Sequence, residues 1–159
     1  MNQRVAKRWL PPLVAISLFV CLSLNGVVSP ADASPSAATV KKVNGMATIT
    51  RQGRDLPATV GLEILENDTI RTGRNGSIGI VFNDETLLSL GPESVLVIDE
   101  FVFAPKQGKF SIVIRMVRGT AAYLSGIISK LAPESAHFKT PTASIGIRGT
   151  KFVAKIEGE

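Results

Sequence analysis

Short apolar segments rich in β-branched residues recur along most of this chain. Gly, Pro, Asn or Asp closes each within a few residues, and no window sustains a 3.6-residue hydrophobic period. The pattern predicts an all-β fold: a sandwich, a barrel or a β-solenoid. Asn44-Gly45, between Val40–Val43 and Met46–Thr50, predicts a hairpin, because both residues tolerate positive φ. Ser77–Phe82 alternates, with Ile78, Ile80 and Phe82 on one face. Glu93–Phe103 reads as a longer strand bent or bulged at Asp99-Glu100, and Phe110–Arg115 alternates again. His137–Lys139, Ser144–Ile147 and Lys151–Ile156 complete the set, with a turn at Ala104–Gly108 and a polar loop at Leu131–Ser135. Ile127–Leu131 is the nearest approach to a helix, on a segment too short to assign one. Two echoes, Ser77-Ile78-Gly79-Ile80 with Ser144-Ile145-Gly146-Ile147 and Arg118-Gly119-Thr120 with Arg148-Gly149-Thr150, suggest at most a pseudo-repeat, since no regular period supports them.

The first 33 residues follow a different logic. Arg4, Lys7 and Arg8 precede an uncharged run from Leu13 to Leu24, and Ala31-Asp32-Ala33 then offers small residues around a cleavage point. Basic, apolar and small in that order is the pattern of a secretory signal peptide, with cleavage expected between Ala33 and Ser34. Extended to Val28, the apolar run is still short of the ~20 residues that span a bilayer. Phe19-Val20 before Cys21 does not make a lipid-attachment motif, so the mature chain is expected to be cysteine-free and held by its core alone. The expected organisation is a signal peptide over 1–33, a flexible Ser/Ala/Pro lead-in over 34–39 and one β domain over 40–159. Of the 18 basic and 13 acidic residues, three bases and Asp32 leave with the signal, and the remaining 126 residues carry a net charge of +3. No basic cluster exceeds Lys41-Lys42, which argues against nucleic acid.

Little in the sequence points to a reaction. His137 is the single imidazole, no Gly-x-Ser-x-Gly frames any serine, and most of the acids fall in turns, where solvated carboxylates are common. Gly73, Gly76 and Gly79 precede a strand rather than a helix, so they do not form a phosphate loop. Asp68, Asn83 and Asp84 could supply oxygen ligands to calcium, but no metal-binding spacing accompanies them. The expectation is no catalytic residue, no cofactor and no metal. Trp9 is lost with the signal, which leaves no tryptophan for a stacking platform.

One longer pattern runs through the β region. Asn67-Asp68, Thr72-Gly73, the strand Ser77–Phe82, the turn Asn83-Asp84-Glu85, Leu88-Ser89-Leu90 and Pro92-Glu93-Ser94 follow one another in order. Arg118-Gly119-Thr120, Phe138-Lys139-Thr140-Pro141 and Ile147-Arg148-Gly149-Thr150-Lys151-Phe152 come after them. In order and spacing this resembles the FecR domain, over about Val40 to Ile156. The chain departs from the family at Asn67 and Glu85, where Gly is usual; Asn tolerates left-handed backbone, while Glu85 implies a different turn.

The resemblance implies an all-β, solenoid-like or rolled domain of short strands, with a β-sandwich as the alternative, located in the periplasm or secreted. In signalling members an anti-sigma segment precedes a membrane helix. About eight residues precede the apolar run here, so that activity is not expected. The residues carrying the resemblance, Asp68, Thr72, Gly73, Asp84, Pro92, Gly119, Thr140, Pro141, Arg148, Gly149 and Thr150, are of architectural types. The expected function is an exported, non-enzymatic β domain that binds an envelope protein partner in a sensing, adaptor or assembly role. A surface for anionic glycan, lipopolysaccharide or lipid is the alternative, and a hydrolase built from scattered residues is a second.

Overall fold

The computed structural model describes residues 35–149 and 151–157. The predicted signal segment and its Ala33/Ser34 junction lie outside the described residues, as does Thr150. Among the described residues twelve strands join in one hydrogen-bonded sheet, curled into a half-barrel. Its plan is clearest as five long ribbons that all bend at the same level. β1 (Ser36–Asn44) and β2 (Ala47–Arg51) follow each other along one ribbon, and β3 (Arg54–Pro57) and β4 (Glu63–Leu65) run back beside it. On its other side lie β5 (Thr69–Thr72) and β6 (Ser77–Phe82). Next come β7 (Leu87–Leu90) and β8 (Val95–Ala104), both antiparallel to the 16-residue β9 (Lys109–Leu124).

The second edge of β9 takes two short strands. β10 (Ala136–Lys139) pairs parallel to its first half and carries β11 (Ser144–Gly146), while β12 (Lys151–Ile156) pairs antiparallel to its second half. One helical turn, α1 (Ile128–Leu131), lies between β9 and β10. Alternation drives one face of every ribbon inward. Ile49, Ile70, Ile78, Ile80, Leu88, Leu96, Ile112, Ile114 and Phe138, all 0–2% exposed, form a single core fed by both halves of the bent sheet. Phe82 meets Phe101 across it with ring centroids 5.4 Å apart.

Several expectations hold at residue level. Ile78, Ile80 and Phe82 are buried together, the β8–β9 register shifts between Ile98 and Glu100, and β12 has the expected bounds. Two need correction. β1 and β2 do not pair with each other, so Asn44-Gly45 is a bend and not a hairpin. Gly45 alone takes positive φ there (+62°), whereas a type I′ hairpin needs it at both central residues. The real two-residue hairpin is Gln52-Gly53, with φ of +49° and +77°. It joins Arg51 to its partner Arg54.

The second correction concerns the lead-in. Residues 36–39 belong to β1 and are not a flexible tail: Ala37 is 1% and Ala38 0% exposed, and Asn83 Nδ2 donates to the Ser36 carbonyl. Small side chains suit this crowded site, but they give no hydrophobic alternation to read. The echoes are not equivalent either. Ile78 and Ile80 are both buried, whereas Ile145 is 41% exposed. Arg118-Gly119 lies within β9, while Arg148-Gly149 lies in the loop before β12.

Candidate functional site

The bend itself organises much of the motif. Thr72 Oγ1 donates to the Gly91 carbonyl at 2.7 Å and accepts the Ser94 N–H at 2.9 Å. Ser94 Oγ accepts from Thr120 N–H at 3.0 Å and lies 3.2 Å from the Pro92 and Thr120 carbonyls. Gly73 N–H bonds the Met46 carbonyl at 2.9 Å. At Gly119 (φ +95°) a Cβ would fall 2.2 Å from Ser94 Oγ, so the ribbons can cross here only without a side chain. Thr72, Gly73, Pro92 and Gly119 thus share one polar seam.

Asp68 and Asp84 serve the far ends of the halves. Asp68, 1% exposed, accepts from Arg51 Nε at 2.9 Å, Arg51 Nη2 at 2.7 Å and Leu65 N–H at 2.8 Å. Arg51 Nη2 also donates to the Glu63 carbonyl at 2.7 Å, tying β2 to β4, and the bond to Asp68 raises the Arg51 pKa further. Asp84, fully buried, accepts Thr86 N–H at 3.0 Å, Thr86 Oγ1–H at 2.9 Å and Ile128 N–H at 3.2 Å. Thr86 Oγ1 in turn accepts Gly126 N–H at 3.0 Å. Glu85 holds φ +68°, the left-handed conformation a glycine would adopt, so Glu replaces Gly within a glycine-type backbone. Thr140 closes its own loop, accepting Ala143 N–H at 3.0 Å beside exposed Pro141. Arg148 is exposed, and Gly149 takes φ +58°.

His137 lies 2.9 Å through Nε2 from the Glu134 carbonyl, so that nitrogen is the protonated one, and no serine or carboxylate bonds the ring among the described residues. Among the same residues no three His, Cys, Asp or Glu side chains gather as metal donors. Asp68 and Asp84 sit at separate turns, between β4 and β5 and between β6 and β7, and each is engaged by protein donors.

What the outer surface offers is a groove on the half of the sheet built from β2, β5, β8 and the first part of β9. Register sets Thr48, Arg71, Val95 and Arg118 in one row across four strands, and Thr50, Thr69, Val97 and Arg115 in the next. The stretch lined by Thr69, Arg71, Val95, Val97, Arg115 and Val117 encloses about 530 Å³, and its continuation reaches Thr48, Asp55 and Met46, which is 73% exposed. Arg115 is held by Asp99 at 2.8 Å, a bond that raises its pKa. Arg71 and Arg118 have no ion-pair partner among the described residues. With strands about 4.8 Å apart, these two guanidinium stems flank a valine floor at roughly 10 Å. Sequence reading missed this groove, because its rows are assembled from distant strands; the outward Thr and Arg of Thr69-Ile70-Arg71 were the available signal.

The fold and the seam therefore define an all-β scaffold whose motif residues serve its bends and corners. The family model described as FecR protein matches residues 68–159, and the chain belongs to that family. The match begins at the buried Asp68 and covers β5 to β12, while β1 to β4 complete the sheet beside it. Comparison with curated proteins and with solved structures returned no match.

Proposed function

We propose that this chain is an exported, non-enzymatic envelope module with a sensing or adaptor role, and that it receives an acidic, extended segment of a partner protein in the Arg71–Arg118 groove. The family supports a regulatory or sensing role in the envelope. The basic, apolar and small-residue order of residues 1–33 supports export to the periplasm or medium. A non-enzymatic reading is supported by the buried Asp68, Thr72, Asp84, Thr86 and Ser94, all engaged in hydrogen bonds within the fold. β9, which runs unbroken through the bend and pairs in both halves, supports a rolled sheet over a solenoid or a two-sheet sandwich.

The observation that carries the docking assignment is the pair of unpartnered arginines over Val95, Val97 and Val117. Guanidinium forks select carboxylates, and the valine floor rewards apolar side chains between them. The test is capture from envelope extract by the full chain and by its Arg71→Glu/Arg118→Glu variant, at low and high salt. The expected result is one stoichiometric protein held by the parent chain and lost by the variant. Equal capture by both would move the docking surface elsewhere. Capture of polysaccharide or lipid alone, released by salt, would replace the protein partner with an anionic envelope surface.

A further inference from the structure

Among the described residues β12 is the longest strand that pairs on one side only: it bonds β9 without a register shift and pairs with no other strand. The stretch of β8 beyond β5, Asp99–Ala104, is bulged between Ile98 and Glu100 and opens on two acids, and the other one-sided strands are blunted. β3 carries Arg54, Asp55 and Pro57, β4 has three residues, and β11 has three, all exposed. Short, charged or proline-bearing edges resist pairing; a regular six-residue edge invites it. The inward side chains of β12, Phe152, Ala154 and Ile156, pack against the core yet remain only partly buried, as expected where the next strand is missing. Phe152 stacks on Tyr123 at 5.2 Å and meets Phe138 edge-on, which fixes the strand as a platform.

The side-chain order along this edge is self-complementary. Two copies paired antiparallel about Ala154 place Phe152 opposite the second copy's Ile156, twice, on the inner face. On the outer face, Lys151 falls opposite Glu157, also twice, and Lys155 opposite Val153. Val153 is 66% exposed, and a lysine stem is suited to cover it. Glu157 already receives Lys155 Nζ at 3.3 Å within one chain, so it would be shared between two ammonium groups. The alternative register, centred on Val153, sets Lys151 against Lys155 on both sides and is disfavoured by like charges.

We propose that β12 is a homodimerisation edge, joining two copies of this chain about a two-fold axis through Ala154. This interface is isologous, and seven paired residues bury well under the ~800 Å² per partner of a standard stable complex. The dimer is accordingly concentration-dependent, with a dissociation constant on the order of 100 μM. It is independent of the groove reading.

Sedimentation equilibrium of the full chain, from about 10 μM to 1 mM, tests it. The parent chain is expected to pass from monomer to dimer across that range. Lys151→Glu and Glu157→Lys are each expected to weaken the dimer about tenfold, since each creates two like-charge contacts. The Lys151→Glu/Glu157→Lys double variant is expected to restore it to within about threefold of the parent, because both pairs are re-formed in reverse. All four proteins should share one thermal transition, as these side chains lie outside the core. A chain that stays monomeric, a double variant no better than the single ones, or a Lys151→Glu variant that dimerises as well as or better than the parent would each overturn the assignment. The Arg71→Glu/Arg118→Glu variant should dimerise normally, so failure of either proposal is read separately.

Discussion

Tyr123 is the only tyrosine in the chain, 1% exposed, with its ring between Phe138 and Phe152 and its hydroxyl without a hydrogen-bond partner among the described residues. Burial is the main reason its pKa is raised from 10.0 to about 12. The Thr86 hydroxyl tempers the rise without making a hydrogen bond of regular geometry, and the Asp84 carboxylate adds to it. A folded-state pKa above the unfolded one means that the unfolded chain releases this proton first as pH rises. The contribution to stability is therefore complete below pH 10 and is lost as pH climbs through about 12. At about 1.4 kcal/mol per pH unit, the full loss is on the order of 3 kcal/mol.

Urea denaturation at successive pH values measures that loss, and tyrosinate absorbance reports the same group directly because no second tyrosine interferes. Tyr123→Phe removes the titrating group and a hydroxyl that has no partner. The variant should match the parent at neutral pH or exceed it by up to ~1 kcal/mol, and its alkaline decline should be shallower by the amount above. Lysine titration is common to both proteins and cancels in the difference. A phenol that titrates near 10 in the folded protein would refute the burial argument. So would a Phe variant less stable by more than about 1 kcal/mol at neutral pH, which would mean that the hydroxyl is bonded.

Two further tests probe the bends and corners. Gly119→Ala places a Cβ against Ser94 at positive φ and is expected to remove at least ~3 kcal/mol in chemical denaturation, while Ser94→Ala, which only deletes the hydroxyl bonding Thr120, should remove about 1–2. At the turn, Glu85→Gly relieves a left-handed residue and should raise stability by about 1 kcal/mol, read as a higher urea midpoint with unchanged slope.

Strand placement was largely legible because alternation survives in β6 and β7, each with one buried face, and in β12, with one face half-buried. Pairing was not. Asn44-Gly45 has hairpin chemistry, but the residues on its two sides find partners in different halves of the sheet, and nothing local distinguishes a bend from a reversal. The hairpin that does form uses Gln52, a residue with no special tolerance of positive φ, so its sequence signal was a single glycine. In β9 alternation is legible only over Phe110–Arg115, whereas Gly119 lets the strand pass the seam and continue to Leu124. The groove was the least legible feature, since Arg71, Val95 and Arg118 become neighbours only through cross-strand register.

The same geometry separates what the family match supports from what it leaves open. Thr72, Gly73, Pro92 and Gly119 lie where the ribbons bend, and Asp68 and Asp84 where the halves end, so these residues serve the curl of the sheet. None of those six projects a free functional group into the groove: the Thr72 hydroxyl, at its margin, is already bonded to Gly91 and Ser94. The groove also draws Met46 from the bend between β1 and β2, Thr48 from β2 and Asp55 from β3, all of which precede the matched residues. On the docking proposed for this groove, specificity for a partner rests on outward side chains that the scaffold tolerates without requiring. Reversing Arg71 and Arg118 should leave the urea midpoint near that of the parent, because surface substitutions away from bonded networks usually change stability by less than ~0.5 kcal/mol. A large loss of stability in that variant would place the arginines in the architecture of the fold and remove the basis for a docking groove.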